Sequence, residues 1–155
     1  MVQRKDRWLR IAFGAYYAIM VYFLFLRRVE QTQPLWEAKE LYWAYVSRNF
    51  NLIPFAEIAA YMVRGGENAV INLGGNILMF VPLGFFVPMR WENLRPFGKA
   101  MASCAAMILA VELVQLFSLL GRGDIDDLIL NMLGAALGWV LCRMWLKRKK
   151  TEVSE

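Results

Sequence analysis

The chain alternates between long apolar blocks and short polar or charged stretches. Residues 11–26, IAFGAYYAIMVYFLFL, carry no charge, and the block extends back to Trp8. Residues 69–89, 100–120 and 125–146 form three more such blocks. A helix that crosses a bilayer needs roughly 20 predominantly apolar residues. The pattern therefore predicts an all-α integral membrane protein, one domain over residues 1–155, with four transmembrane helices at about 8–26, 69–89, 100–120 and 125–146. The first block is short for a span, and the basic residues before it resemble the start of a secretory signal. No small-x-small cleavage site follows it; Arg27 and Arg28 do, which favours a retained signal-anchor helix. Glycines and prolines inside the blocks are compatible with spans, because neighbouring helices can satisfy the freed backbone groups. Gly134 and Gly138 are four apart in the fourth block, a spacing that lets two helices approach closely.

Residues 27–68 form a long connection between the first and second spans, expected to be extracytoplasmic and partly helical. Its segment 34–46, PLWEAKELYWAYV, mixes Trp36, Tyr42, Trp43 and Tyr45 with Glu37, Lys39 and Glu40. It reads either as an amphipathic helix lying on the outer surface or as a small cap packed on the bundle. Further on, Pro54 suits the first turn of a helix and Gly65-Gly66 its end. Phe55, Ile58, Ala59 and Met62 recur at helical spacing, so a short helix leads back towards the membrane. The tail, residues 151–155, is expected to fray.

Composition agrees. Hydrophobic residues make up 59% of the chain, above the roughly 45–50% of soluble domains. The formal charge of +5 does not point to nucleic acid, because no nucleic-acid motif accompanies it and the basic residues sit at the ends of the apolar blocks. Twelve lysines and arginines fall in the segments that are cytoplasmic if the N-terminus is inside, against six in the others. The excess predicts a multi-pass protein of the cell membrane with both termini in the cytoplasm. The chain has no histidine, which removes the usual zinc and Ser-His designs. Its two cysteines, Cys104 and Cys142, lie inside apolar blocks and read as small buried thiols.

Polar groups are costly in a bilayer, so their placement carries the functional information. Asn72 and Asn76 are four apart in the second block, Glu112 and Gln115 three apart in the third, and Asp127 and Asn131 four apart in the fourth. With both termini inside, all six fall in the outer halves of their helices. At 1.5 Å per residue, Asn76, Glu112 and Asn131 lie roughly 10 Å below the outer boundary. Three helices would thus pool polar side chains at one level, beneath a loop that carries Arg122, Asp124 and Asp126. That arrangement suits a ligand-binding pocket open to the outside. Pure scaffolding is the alternative: Asn and Gln can tie helices together, and Asp124 or Asp126 can cap the fourth helix. Asp124, Asp126 and Asp127 are also hard oxygen donors for a divalent cation, although the wider pattern of a metal enzyme is missing, and no cofactor is expected. Ser103 and Ser118 have no basic partner in the sequence and are not read as nucleophiles.

The segments Asn51-Leu-Ile-Pro-Phe55, Asn72-Leu-Gly-Gly-Asn76-Ile-Leu-Met-Phe-Val-Pro-Leu-Gly84, Glu112-Leu-Val-Gln115 and Arg122-Gly-Asp-Ile-Asp-Asp-Leu-Ile-Leu-Asn131-Met-Leu-Gly134, in this order, resemble the VanZ-like family over residues 8–146. The resemblance adds Asn51 to the candidate site. It implies a small multi-helix protein of the bacterial envelope whose founding member is linked to low-level teicoplanin resistance. Three functions compete. The first is binding of a lipid-linked cell-wall precursor or the glycopeptide itself, with membrane lipids as surroundings and Arg122 meeting an anionic group. The second is an enzyme acting on an envelope lipid, with Glu112 and Asp127 as acid and base. The third is lipid transport, which four helices would support only as an oligomer.

Overall fold

The computed structural model describes residues 2–26 and 39–154. Helix α1 spans Val2–Leu24, α2 Lys39–Arg48, α3 Ala56–Arg64, α4 Glu67–Arg90, α5 Phe97–Phe117 and α6 Ile125–Ser154. A 3-10 turn at Glu92–Leu94 separates α4 from α5. Two-residue strands, β1 at Phe50–Asn51 and β2 at Gly123–Asp124, form a small sheet. The chain divides into two compact units, Met1–Phe50 with Leu113–Gly123 and Asn51–Glu112 with Asp124–Glu155.

In the first unit, Tyr16 and Met20 lie one turn apart on α1 and are its buried pair, whereas Trp8, Ile11, Ile19 and Tyr22 are exposed. The last turn of a helix leaves carbonyls without intrahelical partners, and here side chains supply the donors. Gln115 Nε2 donates to the Leu24 carbonyl at the end of α1, 3.1 Å. Tyr42 and Tyr45 of α2 donate to the carbonyls of Phe117 and Gly121, at 2.9 and 3.3 Å. The tyrosines thus fasten α2 to the end of α5, while Leu41 and Trp43 stay exposed. The start of the aromatic segment, residues 34–38, lies outside the described residues. Past α5, Leu119 takes a left-handed φ of 62°, and the N–H groups of Leu120 and Gly121 both return to the Gln115 carbonyl. A Cβ on Gly121 would stand 2.9 Å from the Gln115 side chain, so this turn accepts only glycine without a shift.

The second unit holds α3, α4, most of α5 and α6. The α4–α6 contact is backbone on backbone: a Cβ on Gly134 would fall 2.1 Å from the Ile77 carbonyl oxygen, one on Gly138 1.9 Å from that of Val81, and one on Gly84 1.8 Å from that of Ala135. The small-residue spacing read from the sequence is therefore a close helix contact. Residue pairs advance in the same direction on both helices, so α4 and α6 run parallel. Helix α5 runs antiparallel to α6, since Glu112 near its end meets Asn131 and Arg95 before its start meets Trp139. Phe80, Leu83, Val87, Cys104, Ile108 and Ala135 fill the core.

Among the described residues three helical stretches are long and apolar enough to cross a membrane: Ala69–Arg90, Phe97–Phe117 and Ile125–Lys149. Helix α1 forms as expected but is not one of them. Its first turns include Arg4, Lys5, Asp6, Arg7 and Arg10, leaving an uncharged run from Ile11 to Leu24, about 21 Å at the helical rise. The short helix forms where Pro54 and Gly65-Gly66 place it. The tail does not fray as expected: α6 continues to Ser154.

Candidate functional site

The site grows from the segment Gly123-Asp124-Ile125-Asp126-Asp127 at the start of α6. A helix start leaves backbone N–H groups unsatisfied, and an Asp at the N-cap accepts one of them. Asp124 does this for α6: its Oδ1 accepts the Asp126 N–H at 2.9 Å. Its Oδ2 accepts from Asn51 Nδ2 at 3.2 Å, while Asn51 Oδ1 accepts the Ile53 N–H at 3.0 Å. Asn51 thereby folds the Asn-Leu-Ile-Pro-Phe turn and fastens it to the start of α6.

Asp126, 1% exposed, turns the other way. Its Oδ2 accepts the N–H groups of Glu57 and Ile58 at 2.8 and 3.0 Å, and its Oδ1 accepts that of Phe55. It is the N-cap of α3 supplied from another helix. The α3 cap position itself is Phe55, at φ 66°, whose side chain offers no acceptor. A helix start without Ser, Thr, Asn or Asp is the sequence signal for such a partner.

One turn later the same face of α6 meets α4 and α5. Asn76 Nδ2 donates to Asp127 Oδ1, and Asn131 Nδ2 donates to Glu112 Oε1 at 2.9 Å. Asn131 is 1% and Glu112 7% exposed. A hydrogen bond contributes about 0.5–1.5 kcal/mol net, and the two pairs bind three helices at one level. The pairing is incomplete: Asn131 Oδ1 is buried with no hydrogen-bond partner among the described residues. An acceptor left in that condition costs about 1–3 kcal/mol.

Asn72, one turn before Asn76, is exposed on α4. Gln115 and Arg122 belong to the first unit, where Gln115 is buried on the α1 carbonyl and Arg122 is exposed. Asp124, Asp126 and Asp127 do not share a ligand: each carboxylate faces a different partner, and the described residues contain no group of three or more acidic, Cys or His side chains placed to hold a metal ion. Sequence reasoning also missed the Trp139 indole, which donates to the Arg95 carbonyl at 2.9 Å and fixes the start of α5.

The segments that build this arrangement are those of a known family. Residues 13–146 match the sequence profile described as VanZ/LLP1. The chain belongs to the VanZ/LLP1 family. No curated protein and no solved structure matches it. The VanZ/LLP1 match takes in all ten candidate residues, from Asn51 to Asn131, together with the glycines that bring α4 and α6 together.

Proposed function

We propose that this VanZ-like envelope protein crosses the membrane four times with both termini in the cytoplasm, and that the cluster of Asn76, Glu112, Asp127 and Asn131 binds the polar head group of a lipid-linked cell-wall precursor from the outer side. A glycopeptide antibiotic of the teicoplanin kind is a ligand of similar polar chemistry, and binding either would lower susceptibility to it. The observation that carries the reading is Asn131 Oδ1, a buried acceptor without a donor beside a buried carboxylate. Scaffolding accounts for the two hydrogen bonds but not for an acceptor left over, whereas a hydroxyl or amide N–H of a sugar-peptide head group would complete it. Arg122, exposed in the first unit, is proposed as a separate contact for an anionic group.

The test is mass spectrometry of lipids that co-purify with wild type, Glu112→Gln, Asn131→Leu and Arg122→Ala. A specific precursor retained by the wild type and depleted in the variants supports the proposal; equal retention in all four proteins overturns it. A chemically altered lipid that depends on Glu112 and Asp127 would replace binding by catalysis, with those carboxylates as acid and base.

A further inference from the structure

The other end of the second unit has a different chemistry. Between residues 90 and 99, and again from 143 to 149, the chain carries seven lysines and arginines against one acidic residue, Glu92. Tryptophans hold several of these cations. Arg143 lies 5.7 Å over the Trp139 ring, Lys149 4.3 Å over Trp145, and Arg90 5.7 Å over Trp91. Tryptophan at the end of an apolar helix favours the lipid head-group level. The turn that contains Arg95 connects two candidate spans, Ala69–Arg90 and Phe97–Phe117, so it lies where those helices leave the hydrocarbon.

Arg95 is the centre of this patch. Its carbonyl accepts the Trp139 indole N–H at 2.9 Å, which places its backbone at the edge of the ring that Arg143 covers. Its Nη2 pairs with Glu92 Oε1 at 2.6 Å, but the Glu92 side chain is 77% exposed. Exposed pairs of this kind contribute about 0–1 kcal/mol. The Arg95 Nε–H is buried and has no acceptor among the described residues. A guanidinium with one weak partner and one unused donor is suited to a bidentate anion, for which Nε–H and Nη–H form a fork.

We propose that Arg95 and Arg143 form a binding site for the phosphate of an anionic phospholipid, with Trp139 between the two cations as its floor. A phosphodiester would displace Glu92 from Arg95, take both donors of the fork, and receive the second positive charge from Arg143. The site stands at the opposite end of α5 and α6 from the Asn131–Glu112 pair and does not depend on what that cluster binds.

Native mass spectrometry of the full chain in detergent, titrated with phosphatidylglycerol or phosphatidylcholine, tests it. Phosphatidylglycerol is expected to bind more tightly, by about tenfold, because phosphatidylcholine sets a quaternary ammonium beside the same phosphate and Arg143 repels that cation. Arg143→Gln should remove most of that preference, and Arg95→Lys, which keeps the charge but not the fork, should weaken it. Glu92→Gln should strengthen binding by removing the competitor, a result that misfolding cannot mimic. Val70→Ala, an exposed position near the start of α4, should leave it unchanged, and excess inorganic phosphate should not displace the lipid. Equal binding of the two lipids, unchanged affinity in both Arg143→Gln and Glu92→Gln, or displacement by free phosphate would overturn the proposal.

Discussion

At the scale of single residues, Asp126 and Asp124 separate two roles that look alike in the sequence. Asp124 satisfies the first turn of its own helix, α6. Removal of such a cap costs about 1 kcal/mol. Asp126 carries the start of α3 through three N–H groups, one of them on a residue held at positive φ. Asp126→Ala would strand those donors in a partly buried place, at a cost of about 3 kcal/mol. Hydrogen exchange should read the difference directly. Amides of Phe55, Glu57 and Ile58 are expected to exchange about a hundredfold faster in Asp126→Ala, and to change little in Asp124→Ala. Equal effects of the two substitutions would remove the distinction. Both aspartates stood out in the sequence as candidate caps for α6. Only one is, because the acceptor for α3 comes from a residue about seventy positions away, and spacing along a chain does not encode that partner.

At the scale of elements, backbone proximity governs the α4–α6 pair. Three glycines let carbonyl oxygens of one helix sit where a methyl group would otherwise be. Without a hydrophobic drive between helices in lipid, close packing of this kind supplies much of the association. Gly138→Ala should therefore lower stability by about 1–3 kcal/mol through overpacking, seen as a lower unfolding midpoint in detergent. Gly14→Ala is the matched control: a Cβ there meets nothing within 4 Å, and alanine favours the helix by up to about 1 kcal/mol. Should both variants unfold alike, close approach is not what holds the pair. The elements were largely legible, since apolar periodicity and the Pro54 and Gly65-Gly66 boundaries placed α3 to α5 and the start of α6 within a few residues, while α6 continues past residue 146 to Ser154. The face of α3 was harder to assign. Phe55, Met62 and Val63 are exposed, although apolar spacing normally marks the face turned inward. In a chain whose spans expose Val70, Ile71 and Leu78, apolar outward is the rule rather than the exception, because lipid replaces water as the surroundings.

At the scale of the whole molecule, the number of crossings turns on α1. Three spans would put the two termini on opposite sides of the membrane, and four would put them on the same side. Length argues against α1, whose uncharged run within the helix covers about 21 Å of a hydrocarbon core of about 30 Å. Charge argues for it. The segments left inside by four crossings hold twice as many lysines and arginines as those left outside, and each such residue resists translocation. Leu26 and its neighbour Phe25 lengthen the apolar run beyond the helix, and a short span can be met by thinning of the bilayer at a fraction of a kcal/mol per Å. Moving Arg4, Lys5, Arg7 and Arg10 across the membrane would cost more than that mismatch. Reporter fusions should therefore place both the N-terminus and the end of α6 in the cytoplasm, and a single cysteine at Gly123 should be labelled by an impermeant reagent added outside. An N-terminus found outside, with the end of α6 inside, would reduce α1 to a surface helix. The polar cluster would keep its side of the membrane, because α4, α5 and α6 orient it without help from α1. If Gly123 is instead labelled only from the cytoplasm, the cluster faces the wrong side for any precursor presented at the outer surface, and its ligand must be sought inside the cell.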